Sequence, residues 1–418
     1  MSAVDADTSV PALIVKVGSY PIHAGGVGAA RSLGRLGVPT HVITEDPVTP
    51  LAVSRYRARR FVWHTTGLED AEVLVTGLAE IGQRIGTRSV AVPTDDEAAI
   101  LLAEHADALS EHFLLPAVSA GLYRQLARKH ELFKLCREHN VPTPETAVLS
   151  CRAELLAYAR EATFPLVVKN ADPWIRLRAP MVRATRVVWS QPELLAIAES
   201  GHEQFRLLVQ EHLPIEHAQD WFVHAYFGAN SEPLVNFTGI KVRSWPVGGG
   251  VTACGHAVPN PELAALAERF CKATGFQGVA DLDWRFDRRD GQYKLVDFNP
   301  RVGAQFALFQ TTGGIDVVRA LHLDLTGRNV PAGDQVNGRR FVVEPFDLMA
   351  RIVGRKGGTA DAVPPRPQGP TVLGFGSRDD PLPFVAVWPR LAKAVLAGRV
   401  RKAWRARPRR RPSRSRLG

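Results

Sequence analysis

The chain has 418 residues, 45% of them hydrophobic, and a mean hydropathy of −0.08. That length predicts two or three domains, and no apolar run approaches the ~20 residues of a membrane span. The net charge of +10 is unevenly placed: residues 381–418 hold 12 Lys and Arg and no Asp or Glu, which leaves 40 basic against 42 acidic residues elsewhere, a near-neutral body.

The N-terminus is acidic and lacks a signal-peptide core, which predicts a cytoplasmic protein. Cys136, Cys151, Cys254 and Cys271 stand far apart with no C-x-x-C, so they read as reduced thiols. Residues 13–17 form an apolar strand that leads into His23 and the glycines at 25, 26 and 28. Helical spacing over 29–36 and a strand over 40–43 complete a βαβ unit. Glycines at such a turn allow close backbone approach, and the following helix can hold an anion. Arg31 stands where the third glycine of a dinucleotide fingerprint should be, so a structural turn, or one facing the substrate, is the preferred reading.

A helix over 71–85 and a strand over 89–92 follow, ending in Asp95, Asp96 and Glu97. Residues just past strand ends face the ligand crevice of an open α/β sheet, so these acids suit a cationic substrate group. They equally suit the start of the next helix, the preferred reading. Residues 121–139 read as one helix that includes Lys129, and residues 164–169 as an apolar strand ending in Lys169. The segment 170–186 carries Trp174, Arg176, Arg178, Arg183 and Arg186 and no glycine. Residues 207–213 read as a buried strand with Gln210 and Glu211 near its end. Residues 221–226 and 233–243 alternate like an antiparallel pair, and Lys241 and Arg243 fall on one strand face ahead of three glycines.

After an amphipathic helix over 261–274, residues 279–286 and 292–298 read as two strands joined by an Asp290-Gly291 turn. Asp297 and Asn299 project from one face of the second strand, and Arg301 follows Pro300. Hairpin pairing brings Asp281 or Asp283, which share parity, to the level of Asp297; the loop register decides which. Carboxylate and amide oxygens suit a hard cation such as magnesium, which also takes phosphate oxygens and waters. An arginine beside such an ion suits a transferring phosphoryl group or a carboxylate.

Asp283 followed by Asp297-Phe-Asn299-Pro-Arg301 resembles the metal and phosphate signature of the ATP-grasp superfamily, with Asp297 where the usual form has Glu. The resemblance spans residues 12–330 and implies an α/β architecture with an α+β grasp. A Rossmann-like domain would occupy 1–116, the central ATP-grasp lobe 117–209 and the C-terminal lobe 210–330. A Pro/Gly-rich extension (331–383) and a basic amphipathic tail (384–418) would follow. It further implies that Lys129 and Lys169 reach the phosphates of ATP. Gln210, Glu211 and Leu213 would form the adenine hinge, and Asp220, with Glu216 as a competing choice, would accept from the ribose. Asp283, Asp297 and Asn299 would hold magnesium, with manganese as the alternative. Arg243, Arg301 and Lys241 would act on the transferred phosphoryl group or the acceptor carboxylate.

The activity implied is ATP-dependent ligation of a small-molecule carboxylate to an amine through an acyl phosphate, in the branch that includes D-aspartate-ligase-like enzymes. Because the family's glycine-rich flap has no counterpart in 170–186, a nucleotide-binding regulatory or phosphotransferase protein on the same scaffold is the second reading. A homodimer is one assembly open to the chain. In the tail, residues 384–404 interleave apolar and basic residues at near-helical spacing, and 405–416 is almost pure charge and proline. That pattern suits an anionic membrane surface at the inner face, with Trp388 and Trp404 at the interface. Nucleic acid is the rival target, and a solubilising tail the third reading.

Overall fold

The computed structural model describes residues 4–171, 182, 185–198, 206–246, 250–354 and 367–405. The expectations for Trp174, Arg176, Arg178 and Arg183, for Gly248 and Gly249, and for residues 406–418 lie outside the described residues. The first sheet consists of β1 (Ala12–Val15), β2 (Thr40–Thr44), β3 (Arg57–Val62), β4 (Ser89–Pro93) and β5 (Phe113–Leu114). All are parallel, in the order β3-β2-β1-β4-β5. β1 is an unbroken apolar run because both of its faces are covered. Ala12 and Ile14 join the core of α1 (Ala24–Gly34), while Leu13 and Val15 join that of α2 (Ala71–Ile85) and α3 (Asp96–Glu104). A short α4 (Ala106–Leu109) precedes β5.

α1 starts earlier than its spacing predicts. His23 is its N-cap, with Nδ1 accepting from the Gly26 N–H at 3.2 Å, so Gly25, Gly26 and Gly28 lie inside the helix rather than in a turn before it. Close packing is what requires them: a Cβ on Gly25 would lie 2.8 Å from the Gly303 carbonyl oxygen, and one on Gly28 2.9 Å from Phe306.

The single helix expected over 121–139 is two, α5 (Leu122–Ala127) and α6 (Lys129–Glu138), because Arg128 between them is extended at φ −93°, ψ 115°. Lys129 thereby opens α6. The second sheet is antiparallel, in the order β6-β9-β7-β8, from β6 (Thr146–Leu149), β7 (Leu166–Asn170), β8 (Arg186–Val188) and β9 (Leu207–Glu211). α7 (Arg152–Glu161) and α8 (Gln191–Ala198) cover the face formed by Leu166, Val168, Leu207 and Val209. The alternate residues Lys169 and Gln210 therefore stand on the opposite face.

The third sheet has the order β14-β13-β10-β11-β12-β15-β16. Its strands are β10 (Ala218–Phe227), β11 (Pro233–Trp245), β12 (Val251–Ala257), β13 (Gly278–Asp287), β14 (Gln292–Asn299), β15 (Arg340–Val342) and β16 (Thr371–Leu373). α9 (Pro261–Thr274) packs on Ala280, Leu282 and Trp284, so Asp281 and Asp283 occupy the other face of β13. α10 (Val317–Leu325) shares a core with α1 and ties this sheet to the first domain.

The boundary expected at 330 is not a structural one. β15 and β16 continue the third sheet, and α11 (Glu344–Gly354) lies against β11 and β12. Beyond β16 the chain returns to the first domain. Asp380, 1% exposed, accepts from Arg31 Nε at 2.9 Å and from Ser54 Oγ and the Arg55 N–H at 2.8 Å. Arg31 breaks the dinucleotide fingerprint because it anchors this strap. α12 (Leu382–Arg405) follows, seated through buried Val387 and an Arg390–Asp46 ion pair at 2.5 Å. Trp388, expected at a membrane interface, instead packs against the core. Among the described residues no helix is long and apolar enough to cross a membrane.

Removing the carboxylate from such a pair strands a buried guanidinium. Asp380→Ala is expected to lower unfolding free energy by about 3–5 kcal/mol, read as a fall in the urea midpoint; an unchanged midpoint would show that the strap contributes nothing.

Candidate active site

β13 and β14 pair so that Asp283 lies opposite Asp297 and Asp281 opposite Asn299. The register thus brings Asp283, rather than Asp281, level with Asp297. Each of these two carboxylates is met by a lysine from another element: Lys129 Nζ is 2.8 Å from Asp297, and Lys241 Nζ is 3.0 Å from Asp283. Lys129 also donates to the Val296 carbonyl at 3.2 Å.

The two acids respond differently to shared confinement. Burial pushes Asp297 up, but Lys129, and then Lys169 and Arg301, hold it below the ordinary carboxylate range. Burial raises Asp283, and the neighbouring Asp281 and Asp297 reinforce the rise against the opposing pull of Lys241. Burial disfavours the charge on Lys241, yet Asp283 and Asp220 keep its pKa above the ordinary lysine value.

Lys169 projects from the opposite face of β7 to the helices and donates to Gln210 Oε1 at 3.3 Å, while Gln210 Nε2 donates to Thr146 Oγ1 at 3.0 Å. Burial, followed by repulsion from Lys129, pulls Lys169 down to about 7. The carboxylate of Glu211 pairs with Arg289 at 2.7 Å, and its N–H donates to the Glu145 carbonyl at 2.8 Å. Leu213 is buried, and its carbonyl accepts from Arg285 Nη1 at 3.1 Å; Arg285 Nε also donates to Asp220, its cross-strand neighbour, at 2.6 Å. Arg285 therefore joins the end of β9 to Asp220. Its parity with Asp281 and Asp283 is the sequence signal for that placement.

Lys241 and Arg243, expected side by side, have different partners. The β11–β12 register shifts between them, and Arg243 Nε donates to Asp347 of α11 at 2.5 Å. Arg301 Nη1 donates to Asp281 at 2.6 Å, and its Nε lies 3.2 Å from Asp96. The acids after β4 thus divide. Asp95 caps α3, accepting from the Ala98 N–H at 2.7 Å and from the Val17 and Gly18 N–H groups at 3.0 Å. Asp96 faces Arg301 instead, and Glu97 accepts from Tyr20 at 3.1 Å. His23 joins this edge of the site, its pKa pulled down to about 3 by burial and then by Arg301 and Lys16. A neutral imidazole is what its capping role needs.

No protein-family model matches the chain. Among curated proteins, the D-aspartate ligase of Enterococcus faecium (strain Aus0004) is 24% identical over 237 residues, or 54% of this chain and 55% of that protein. The match thus spans about half the length of the curated relative. Among solved structures, the N5-carboxyaminoimidazole synthetase from Staphylococcus aureus has a TM-score of 0.58 at 12% identity, covering 79% of this chain and 81% of that one. The biotin carboxylase domain of the Hydrogenobacter thermophilus 2-oxoglutarate carboxylase, solved with MgADP, has a TM-score of 0.56 at 14% identity, covering 78% and 71%. The mixed α/β architecture expected from the acid hairpin is therefore present, and the fold of this chain is similar to those of these two solved structures.

Proposed function

We propose that the chain is an ATP-dependent carboxylate-amine ligase that works through an acyl phosphate and releases ADP and phosphate. The observation that carries this reading is the contact of Lys129 with Asp297, with Lys169 close enough to act on both. Cations from one lobe and acids from the other enclose one place, which suits a triphosphate and its counter-ion. The name of the E. faecium relative and the MgADP bound by the H. thermophilus domain support the same chemistry.

In this reading Gln210, Glu211 and Leu213 take the adenine edge and Asp220 the ribose, after Arg285 yields it. Lys129 and Lys169 take the phosphates as point charges. Asp283, Asp297 and Asn299 would hold magnesium, or manganese. Asn299 Nδ2 donates to the Asp281 carbonyl at 3.0 Å, which leaves its side-chain oxygen as the donor to a cation. Among the described residues no three His, Cys, Asp or Glu side chains converge as a cation cage. Two carboxylates and an amide fit an ion that keeps waters and phosphate oxygens for its other positions. When bound, such an ion supplies charge neutralisation on the phosphates. Lys129 and Lys241, which now offset the two acids, would then turn to the nucleotide and the transferred group.

A small-molecule carboxylate needs only position and charge relief to attack the γ-phosphoryl group, so no protein nucleophile is required. Arg301 and Lys241 would stabilise the transferred phosphoryl group, with Arg243 in support once it leaves Asp347. The amine then displaces phosphate from the acyl phosphate. Phosphate release from ATP across a panel of carboxylates and amines tests this. Release should require both partners, and Lys169→Ala or Asp297→Ala should each reduce it by about 100-fold. Turnover without an amine would replace the ligase with a phosphotransferase.

Lys169 gives the free protein a pH signature. Its folded pKa of about 7 lies below the ordinary lysine value, so the charge offered to phosphate is complete only below that pH. Nucleotide affinity should fall as pH rises above about 7, and binding at pH 8 should take up a proton, measured by calorimetry in buffers of different ionisation enthalpy. Lys169→Arg should abolish the uptake; uptake unchanged in that variant would place the proton elsewhere.

We also read residues 384–418 as a peripheral anchor for an anionic membrane surface inside the cell. In support, Leu382, Val385 and Leu396 are exposed on one side of α12, and 12 basic residues without an acid occupy 381–418. Sedimentation with phosphatidylserine vesicles should capture the protein and weaken with salt, and Leu382→Asp with Val385→Asp should abolish it. Equal capture by neutral vesicles, or by duplex DNA in the same salt, would refute the anchor.

A further inference from the structure

Arg301 meets acids from two domains, one by a hydrogen bond and one at ion-pair distance. Asp281, on β13, holds Nη1 at 2.6 Å, and Asp96, at the start of α3 in the first domain, lies 3.2 Å from Nε. The guanidinium thus has one anionic partner on the acid hairpin and another across the domain boundary.

Asp281 is itself immobilised. It is 4% exposed, its Oδ1 lies 3.2 Å from His224 Nε2 and 3.4 Å from Gln305 Nε2, and its Oδ2 belongs to Arg301. Gly303 passes directly over it, where any Cβ would collide with Asp281 Oδ2 and with the His224 ring. Gly25 of α1 backs onto the Gly303 carbonyl, where a Cβ would lie 2.8 Å from its oxygen. One carboxylate oxygen is therefore committed to Arg301 and the other to Gln305 and the His224 ring. Asp281 shares strand parity with Asp283, yet its environment is that of a brace rather than a cation ligand.

We propose that Asp281 and Asp96 are positioning residues that fix the Arg301 guanidinium between the hairpin and the first domain, so that the seating of α1 and α3 sets the arginine's aim. What Arg301 acts on rests on the ligase reading; the clamp itself does not. A clamp of this kind aligns a cation with a group whose charge develops only during transfer, while the nucleotide is held elsewhere by Lys129 and Lys169.

Double-mutant cycles with two readouts on the full chain test it. The first uses thermal midpoints without ligands, for Asp281→Asn, Asp96→Asn and Arg301→Gln with each pairwise combination. The acid variants should cost little once Arg301 is Gln, and additive losses would overturn the clamp. The second uses phosphate release with the carboxylate and amine that support turnover. Asp281→Asn should lower kcat by about 10–100-fold while the Kd of a fluorescent ATP analogue stays within about twofold. In the Arg301→Gln background it should add no further loss. A rise in the magnesium concentration needed for activity, persisting in that background, would make Asp281 a cation ligand and overturn the proposal. If no carboxylate and amine pair supports turnover, the ligase reading fails, and the thermal cycle still decides the clamp.

Discussion

Two carboxylates on facing strands repel one another wherever water is scarce, and this repulsion organises the centre of the molecule. Asp283 and Asp297 are brought level by backbone pairing alone. Their proximity is tolerable because Lys241 reaches in from β11 and Lys129 from α6. The opposite shifts of the two acids show how incompletely that balance is met: Asp297, with three cations near it, is held below the ordinary carboxylate range, while burial, and then Asp281 and Asp297, push Asp283 up. Sites that bind polyvalent ligands are built from such unresolved charge, because a ligand that relieves it gains binding energy from strain already present in the free protein. The low pKa of Lys169 has the same two causes with the sign reversed, burial first and then repulsion from Lys129.

The three sheets must meet for this charge set to exist, and the contacts that join them are of two kinds. Near the site they are close backbone approaches, with Gly25 and Gly28 of α1 against Gly303 and Phe306. Far from the site they are the strap after β16, where Asp380 buries its charge against Arg31, and the docked start of α12. Stability of the first domain's seat and geometry at Arg301 are consequently linked, although the strap contributes no group to the site.

The part of the chain beyond 330 shows how one segment serves both ends of this arrangement. β15 and β16 complete a sheet whose opposite edge is the acid hairpin. Asp347 on α11 restrains Arg243, while the strap and α12 clasp the first domain. Local composition, rich in Pro and Gly, described the connections there and was silent about these contacts.

Short-range periodicity was enough to determine the acid hairpin, because Asp281, Asp283 and Arg285 alternate with Leu282 and Trp284, and period two fixes faces whatever the tertiary fold. The apolar β1, the place of Lys169 on the opposite face of its strand from Val168, and the capping role of Asp95 followed from equally local rules. What sequence could not decide was register and distance. Whether Asp281 or Asp283 meets Asp297 turns on the four-residue loop between β13 and β14 together with a shift in their pairing between Asp283 and Trp284. That Asp96 meets Arg301, 205 positions later, turns on how two domains dock. Gly25 and Arg31 look like parts of a broken nucleotide fingerprint in one dimension; in three, one makes room for Gly303 and the other anchors Asp380. Periodicity is a property of neighbouring residues, whereas charge partners and close approaches are chosen by surfaces that exist only once the sheets have packed.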